Sequence, residues 1–275
     1  MSGKLFLVAT PIGNLEDLTS RAVRVLGEVA FIVCEDTRHS RGLLSHFGIS
    51  KPLLSLPAFA EADRAGPILD RLLAGEDGAL VTDAGSPAIS DPGETLVAEA
   101  VARGIQVVPI PGASAVVAAL SASGLPTGRF HFLGFLPRKG PERKAILEEV
   151  AMLSATLVLY ESPRRLEETL QELHALFGDR RACVARELTK LHEEFVRGTL
   201  GELSQRYAGQ EVLGEVVLLV EGRKGEQRWT EEEVRRAVQE GLSRGEKLKP
   251  LSTEVAKRAG WSGQDVYRLG LSLKG

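Results

Sequence analysis

Short apolar runs separated by longer patterned segments set the rhythm of the first half of the chain. The runs at 4–9, 30–34, 79–82 and 106–110 have the length and composition of strands, and the segments between them carry the three- and four-residue spacing of helices. This alternation predicts an α/β domain. Asp17 or Thr19 is placed to cap RAVRVLGEV, and Asp91-Pro92 puts proline in the first turn before GETLVAEAVARG, which Gly104 closes. SLPAFAEADRAGPILDRLLAGEDG predicts a loop followed by a helix whose regular part Pro67 limits.

A second series begins after SASGLPTG. FHFLGFL, ATLVLYE, RACVARE, EEFVRGT and GEVVLLVEG are strand-like, and PERKAILEEVAML, SPRRLEETLQELHALFG and LGELSQRYAG are helical. The close spacing of the later strands predicts antiparallel pairing in a mixed sheet. The boundary between the two series falls near 112–128, which divides the chain into domains at 1–115 and 116–224. From 228 to 275 strand signals stop and three short helices are predicted. Thr230 and Glu233 have capping-box spacing, Ser252 or Thr253 begins the second helix, and the turn at 260–263 leads into a third with Val266 and Leu269 facing inward. Such a segment reads either as a helix-turn-helix-like module or as a helical cap with Trp229 and Trp261 in its core.

Three of the apolar runs end in turns rich in Gly and Pro: VATPIGNLEDLT, VTDAGSPAISDPG and IPGASAVVAALSASG. Strands that stop this way leave backbone N–H groups free for a small molecule, and ligands of open α/β sheets sit beyond the carboxyl ends of strands. One such loop is ordinary βα punctuation, but three together, one of them acidic, point to a cofactor pocket.

The 275 residues, 43% of them hydrophobic, suffice for two compact domains and an appendage. Cys34 and Cys183 both lie in apolar runs, so buried reduced thiols and a cytoplasmic protein are expected. KLFLVAT is too short for an export signal, and no apolar run approaches the roughly 20 residues of a membrane span. From 222 onward the chain carries 12 Lys/Arg against 8 Asp/Glu, although its overall charge is −3. A basic tail on an acidic body suits nucleic-acid targeting, or is simply a solvated surface. The five histidines lack metal-ligand spacing, Ser86 lacks a G-x-S-x-G elbow, and there is no G-x-x-x-x-G-K-[ST]. These absences argue against a zinc site, a serine hydrolase and a P-loop nucleotidase.

LFLVATPIGNLEDLTSRA, CEDTRHSRGLL, VTDAGSPAISDPG, PIPGASAVVAALSASGLP, FLGFLPRKGPER, LYESPRRLEETL and ARELTKLHEEFVRGTL together resemble the ribosomal RNA small-subunit methyltransferase I family of the tetrapyrrole-methylase superfamily, through almost the whole chain. The resemblance implies two α/β domains with a cofactor cleft between them, S-adenosyl-L-methionine (SAM) as methyl donor, a cytidine ribose 2′-hydroxyl in the decoding region of 16S rRNA as acceptor, and a homodimer. Carried onto this sequence, it places Pro11, Ile12, Ala84, Gly85, Ser86, Ile89, Ser114, Ala115, Glu161 and the backbone of Leu188 at the donor. LPAFAEADR departs from the family's His/Asn-containing stretch and keeps only Glu61 and Arg64.

Methyl transfer from a sulfonium needs the acceptor oxygen held about 3 Å from the methyl carbon in a water-poor cleft. A ribose hydroxyl also benefits from a base, for which Asp36, Glu187 and Lys190 are candidates, the lysine if desolvation lowers its pKa. Asp36 is equally suited to pairing with Arg38 or capping the helix that starts at Thr37, and Glu187 to an ion pair with Arg186 or Arg164. Arg138, Lys139, Arg143, Lys144, Arg164 and Arg165 are candidate RNA contacts, or a solvated helix face. Two other readings are methylation of a tetrapyrrole and a non-catalytic ribosome-assembly factor.

Overall fold

The computed structural model describes residues 2–224 and 229–273. Residues 1–151 and 155–221 form one compact unit that contains two five-stranded sheets. The first comprises β1 (Lys4–Val8), β2 (Phe31–Cys34), β3 (Leu53–Ser55), β4 (Gly78–Leu80) and β5 (Gln106–Ile110) in the order β3-β2-β4-β1-β5, all parallel. Alternate residues of these strands serve opposite faces. Phe31 and Val33 meet Ile68 and Leu72 of α3 (Glu61–Leu73) and Leu96 of α4 (Glu94–Ala102). On the other face Ile32 and Cys34 meet Val25 and Leu26 of α1 (Ser20–Glu28) and Leu44 of α2 (Thr37–His46).

Because β4, β1 and β5 are neighbours, the three Gly/Pro loops that follow them come together at one edge of the sheet. Thr10 and Gly85 tie the first two loops through paired backbone hydrogen bonds of 2.9 and 3.1 Å.

Three local readings need correction. The chain has a further strand, β3, which ends at the first residue of the stretch read as loop and helix, in a segment to which the pattern gave no element. Pro67 lies within α3, which begins six residues before it. Asp91 and Pro92 stand outside α4, whose N-cap is Gly93 with φ +130. The Glu61 carboxylate accepts from the Leu96 N–H of that uncapped turn at 3.0 Å, and Arg64 bonds the Ser55 carbonyl, so both residues serve the fold. Of the two caps offered for α1, Thr19 is the one used.

The chain crosses to the second sheet after Ile110. There α5 (Ala115–Ala122) packs Val116, Ala119 and Leu120 against Val158, Cys183 and Leu219. The sheet is β6 (Phe130–Phe135), β7 (Thr156–Glu161), β8 (Arg181–Arg186), β9 (Glu194–Thr199) and β10 (Val216–Val220) in the order β6-β7-β10-β8-β9. It is mixed: β6 and β7 are parallel, and the remaining pairs antiparallel. In register, Val216 pairs with both Glu161 and Arg186, so β10 starts at the end where β7 and β8 finish. Helices α6 (Pro141–Val150), α7 (Leu166–Phe177) and α8 (Leu200–Tyr207) complete the unit.

The second unit holds 152–154 and the chain from 222. Its helices α9 (Glu231–Ser243), α10 (Leu248–Ala259) and α11 (Gly263–Ser272) enclose a core of Val234, Val238, Leu251, Val255 and Val266, with Trp229 and Trp261 packed against it. The Trp261 indole donates to the Trp229 carbonyl at 2.7 Å, and Thr230 and Glu233 form a full capping box. Helix α10 starts earlier than expected, with Lys247 as N-cap, and Ser252 lies within it, bonded back to the Leu248 carbonyl. No helix among the described residues is long and apolar enough to cross a membrane.

Candidate functional site

Between the strand ends of the two sheets lies a cavity of about 430 Å³. From the first sheet come Ile12, the run Asp83–Ser86, Ile89, Asp91, Ser114 and Ala115; from the second come Tyr160, Glu161, Leu188 and Glu215. Small residues bring the backbone to the wall, and Gly85 takes the left-handed φ of +82 that a side chain would resist. Every donor residue named from the sequence resemblance lines this cavity except Pro11. Pro11 lines an adjoining chamber of about 650 Å³, which shares Ile12, Asp83, Ala84 and Glu215 with the first.

The cavity is electronegative. Glu35, Asp83 and Asp91 line it, and among the described residues none of the three has an ion-pair partner. Burial, followed by the charges of its acidic neighbours, pushes the Glu35 carboxyl above the usual carboxylate range. Burial raises Asp91 too, and the charge of Asp83 adds to the effect. Asp83 Oδ1 is buried without a hydrogen-bond partner. A cationic ligand with polar groups fits such a wall, because it would supply the missing charge and hydrogen bond together. Tyr160, pushed up to about 12 chiefly by burial, remains a phenol and thus a hydrogen-bond donor.

Glu161 is a lining residue whose oxygens are already engaged. It accepts from the Ser162 N–H at 2.6 Å, the Thr169 hydroxyl at 2.6 Å and the Arg165 guanidinium at 2.7 Å.

The three candidate bases separate in the structure. Asp36 caps α2 by accepting from the Arg38 N–H at 2.7 Å, a bond that also holds its carboxyl below the usual range, and it lines neither cavity. Glu187 is held low chiefly by Lys190 and likewise lines neither. The Lys190 ammonium sits 2.9 Å from Glu187 and 3.1 Å from Glu215. Partial burial works to lower its pKa, but the two carboxylates outweigh that and raise it. The expectation of a lysine with lowered pKa is therefore corrected, and Lys190 keeps its proton at neutral pH.

The turn carrying Lys190 is firmly built. Glu187 and Thr189 hold φ of +53 and +64, which is unfavourable for side-chain-bearing residues. Backbone bonds from Glu187 N–H to the Glu215 carbonyl and from Lys190 N–H to the Glu187 carbonyl, both 3.0 Å, hold it there. A Cβ on Gly13 would collide with the Lys190 side chain, so the first loop must be glycine where it passes this turn.

Sequence reasoning passed over Glu215, which lines both cavities. Its place follows from the antiparallel entry of β10, and the sequence carries no signal of that beyond the Gly214 turn before it. Of the candidate RNA contacts, Arg138, Lys139, Lys144 and Arg164 are exposed. Arg143 is buried, bonded to Glu172 at 2.7 Å, the Pro137 carbonyl at 3.0 Å and Thr169 at 2.9 Å. Arg165 is half-buried on Glu161. Both belong to the fold and are withdrawn as RNA contacts.

A parallel and a mixed sheet sharing a cavity at their strand ends, entered by glycine-rich loops, define a class. The chain belongs to the tetrapyrrole (corrin/porphyrin) methylase family, whose sequence profile matches residues 4–204. Within it, the chain is 45% identical over 272 residues to the ribosomal RNA small subunit methyltransferase I of Halalkalibacterium halodurans, covering 97% of this chain and 94% of that protein. It is 43% identical over 275 residues to the protein of the same name from Synechocystis, covering 99% of each. Its fold is similar to that of uroporphyrin-III C-methyltransferase from Thermus thermophilus complexed with S-adenosyl homocysteine, with a TM-score of 0.58 at 20% identity over 80% of this chain and 97% of that one.

Proposed function

We propose that this protein is a SAM-dependent methyltransferase that modifies the ribose 2′-hydroxyl of a cytidine in the decoding region of 16S rRNA. The observation that carries the reading is an electronegative cavity, built largely by the three Gly/Pro loops, that opens onto a second chamber bearing Lys190 and Glu215. SAM supplies a methyl group on a positively charged sulfur. Ile12, Ala84, Gly85, Ser86, Ile89, Ser114, Ala115 and Leu188 shape the cavity for it and exclude water, and Glu35, Asp83 and Asp91 favour its charge. Pro11 acts beside the donor, on the acceptor side.

Glu215, at the wall common to both spaces, receives the hydroxyl proton. A carboxylate suffices, because the oxygen becomes strongly acidic as its new bond to carbon forms. Lys190 holds that carboxylate in place and presents an ammonium N–H to the acceptor oxygen, while Glu187 fixes Lys190. Arg138, Lys139, Lys144 and Arg164 bind phosphates, and the helices of 228–275 add a further grip. Residues 225–228 and 274–275 lie outside the described part. The cytoplasm, where ribosomal subunits are assembled, and the homodimer belong to the same reading.

Incubation with methyl-labelled SAM and small ribosomal subunits tests it. Label is expected in RNA, in a dinucleotide resistant to alkali because its 2′-oxygen is blocked. Tight binding of the particles with no transfer would favour an assembly factor instead.

A further inference from the structure

One wall of the 650 Å³ chamber is a single face of α2. Arg38, His39, Gly42, Leu43 and His46 all line it, and their spacing of three and four residues stacks them along one side of a helix. The opposite side carries the buried Ser40 and Leu44. This face has no packing duty comparable to that of Leu44, which fixes α2 to the first sheet.

Gly42 is the informative member. It lies inside the helix, where glycine costs about 1 kcal/mol relative to alanine. Its φ is not among the positive values that would call for glycine. A Cβ there would meet no heavy atom within 4 Å, so no close approach of another segment calls for it either. What a larger side chain would occupy is the chamber.

Charge is graded across the same space. The two carboxylates that reach it, Asp83 and Glu215, also line the donor cavity and therefore stand at the shared wall. Arg38 is on α2, its side chain 90% exposed and, among the described residues, ion-paired only to Asp36 at 3.6 Å. His39 is held by the Asp83 carbonyl at 3.1 Å. Pro11, Leu15 and Leu43 contribute apolar surface. Apolar walls suit the faces of a base, an exposed guanidinium suits a phosphate, and the shared wall brings a ribose hydroxyl to Glu215.

We infer that the chamber along α2 is the pocket for the acceptor nucleotide, a single unit of RNA turned out of its strand, and that Gly42 is the position that keeps it open. The inference rests on the RNA-methylation reading above and assigns it a place and a reader. Arg38 engages a phosphate flanking that nucleotide, and the base lies over Gly42 against Leu15 and Leu43.

The test fills the chamber. Gly42→Phe is compared with Gly27→Phe, a matched change in α1 at a glycine whose Cβ also meets nothing and which lines neither cavity. SAM affinity is read by calorimetry, and transfer by label entering small-subunit RNA. Gly42→Phe is expected to bind SAM within about twofold of the unmodified protein yet lose roughly a hundredfold in kcat/KM for the particle, while Gly27→Phe changes neither. Arg38→Ala, which leaves the helix interior untouched, is expected to raise KM for the particle about tenfold and to reduce the slope of log affinity against log salt by about one. Undiminished transfer by Gly42→Phe, or an unchanged KM in Arg38→Ala, overturns the assignment. Parallel loss of SAM affinity and transfer in Gly42→Phe also overturns it, by returning α2 to the donor site. If the unmodified protein itself labels no RNA, the reaction assigned above fails instead.

Discussion

Replacing Glu161 separates holding the fold from holding the donor. Its side chain is fully buried, and it neutralises Arg165 while accepting from Ser162 and Thr169. Removing one partner of a buried pair costs about 3–5 kcal/mol, because the other charge is left without compensation. Arg165 retains 21% exposure, so water can reach part of its guanidinium, and the Thr169 hydroxyl keeps its bond from Arg143 at 2.9 Å. Both facts place Glu161→Ala near the lower limit, about 3 kcal/mol. Glu161→Gln retains an acceptor but not the charge, and its cost falls to about 2 kcal/mol. Urea titration followed by circular dichroism measures both, and the alanine variant should melt roughly 6–12 °C lower. SAM affinity of the folded variants should change far less than stability. A loss below about 1 kcal/mol together with a large drop in SAM affinity would refute the reasoning and make Glu161 a ligand contact.

Lys190→Met removes the ammonium but keeps the bulk, and transfer should fall roughly a hundredfold with SAM affinity nearly intact; equal losses in both would make it a donor-binding residue. The raised pKa of Lys190 implies that its ion pairs are complete below the ordinary lysine range and lost only as pH rises through the elevated folded value, so the pH–rate profile should show no lysine ionisation near neutrality. Glu35 and Asp91 titrate above the ordinary carboxylate range, and a bound sulfonium favours their ionised forms, so SAM binding releases protons as pH falls into that elevated window. Calorimetry should find SAM affinity falling there while the affinity of uncharged-sulfur S-adenosyl-L-homocysteine falls less; identical pH dependence for the two would contradict the role given to these carboxylates. Arg138→Ala, Lys139→Ala, Lys144→Ala and Arg164→Ala should each flatten the salt dependence of particle binding by about one unit of slope, whereas Arg143→Ala should lower the melting temperature and leave the slope alone.

Most of the architecture was legible because these strands are short apolar runs between helices with strong periodicity. The second sheet was read as mixed from nothing more than the spacing of RACVARE, EEFVRGT and GEVVLLVEG. β3 escaped because three half-buried residues between Pro52 and Pro57 carry too little pattern to register. Arg143 was misread inside the basic string PRKGPERK, although its spacing with Leu147 and Val150 places it on the buried face of α6. The donor loops were visible as motifs, since each is a continuous string after a strand. The Lys190 cluster was not, because Glu215 lies 25 residues further on and reaches it only through the antiparallel entry of β10. The charge state of Lys190 is set by Glu187 and Glu215 together, and for that reason it inverts the expectation drawn from the lysine alone.

A crystal structure with S-adenosyl-L-homocysteine would test most directly the claim that one cavity holds the donor and faces the acceptor. The account expects the ligand among Ile12, Gly85, Ser114 and Leu188, with its sulfur turned toward the opening shared by Ile12, Asp83, Ala84 and Glu215. A ligand bound elsewhere, or a sulfur turned away from that opening, would contradict it.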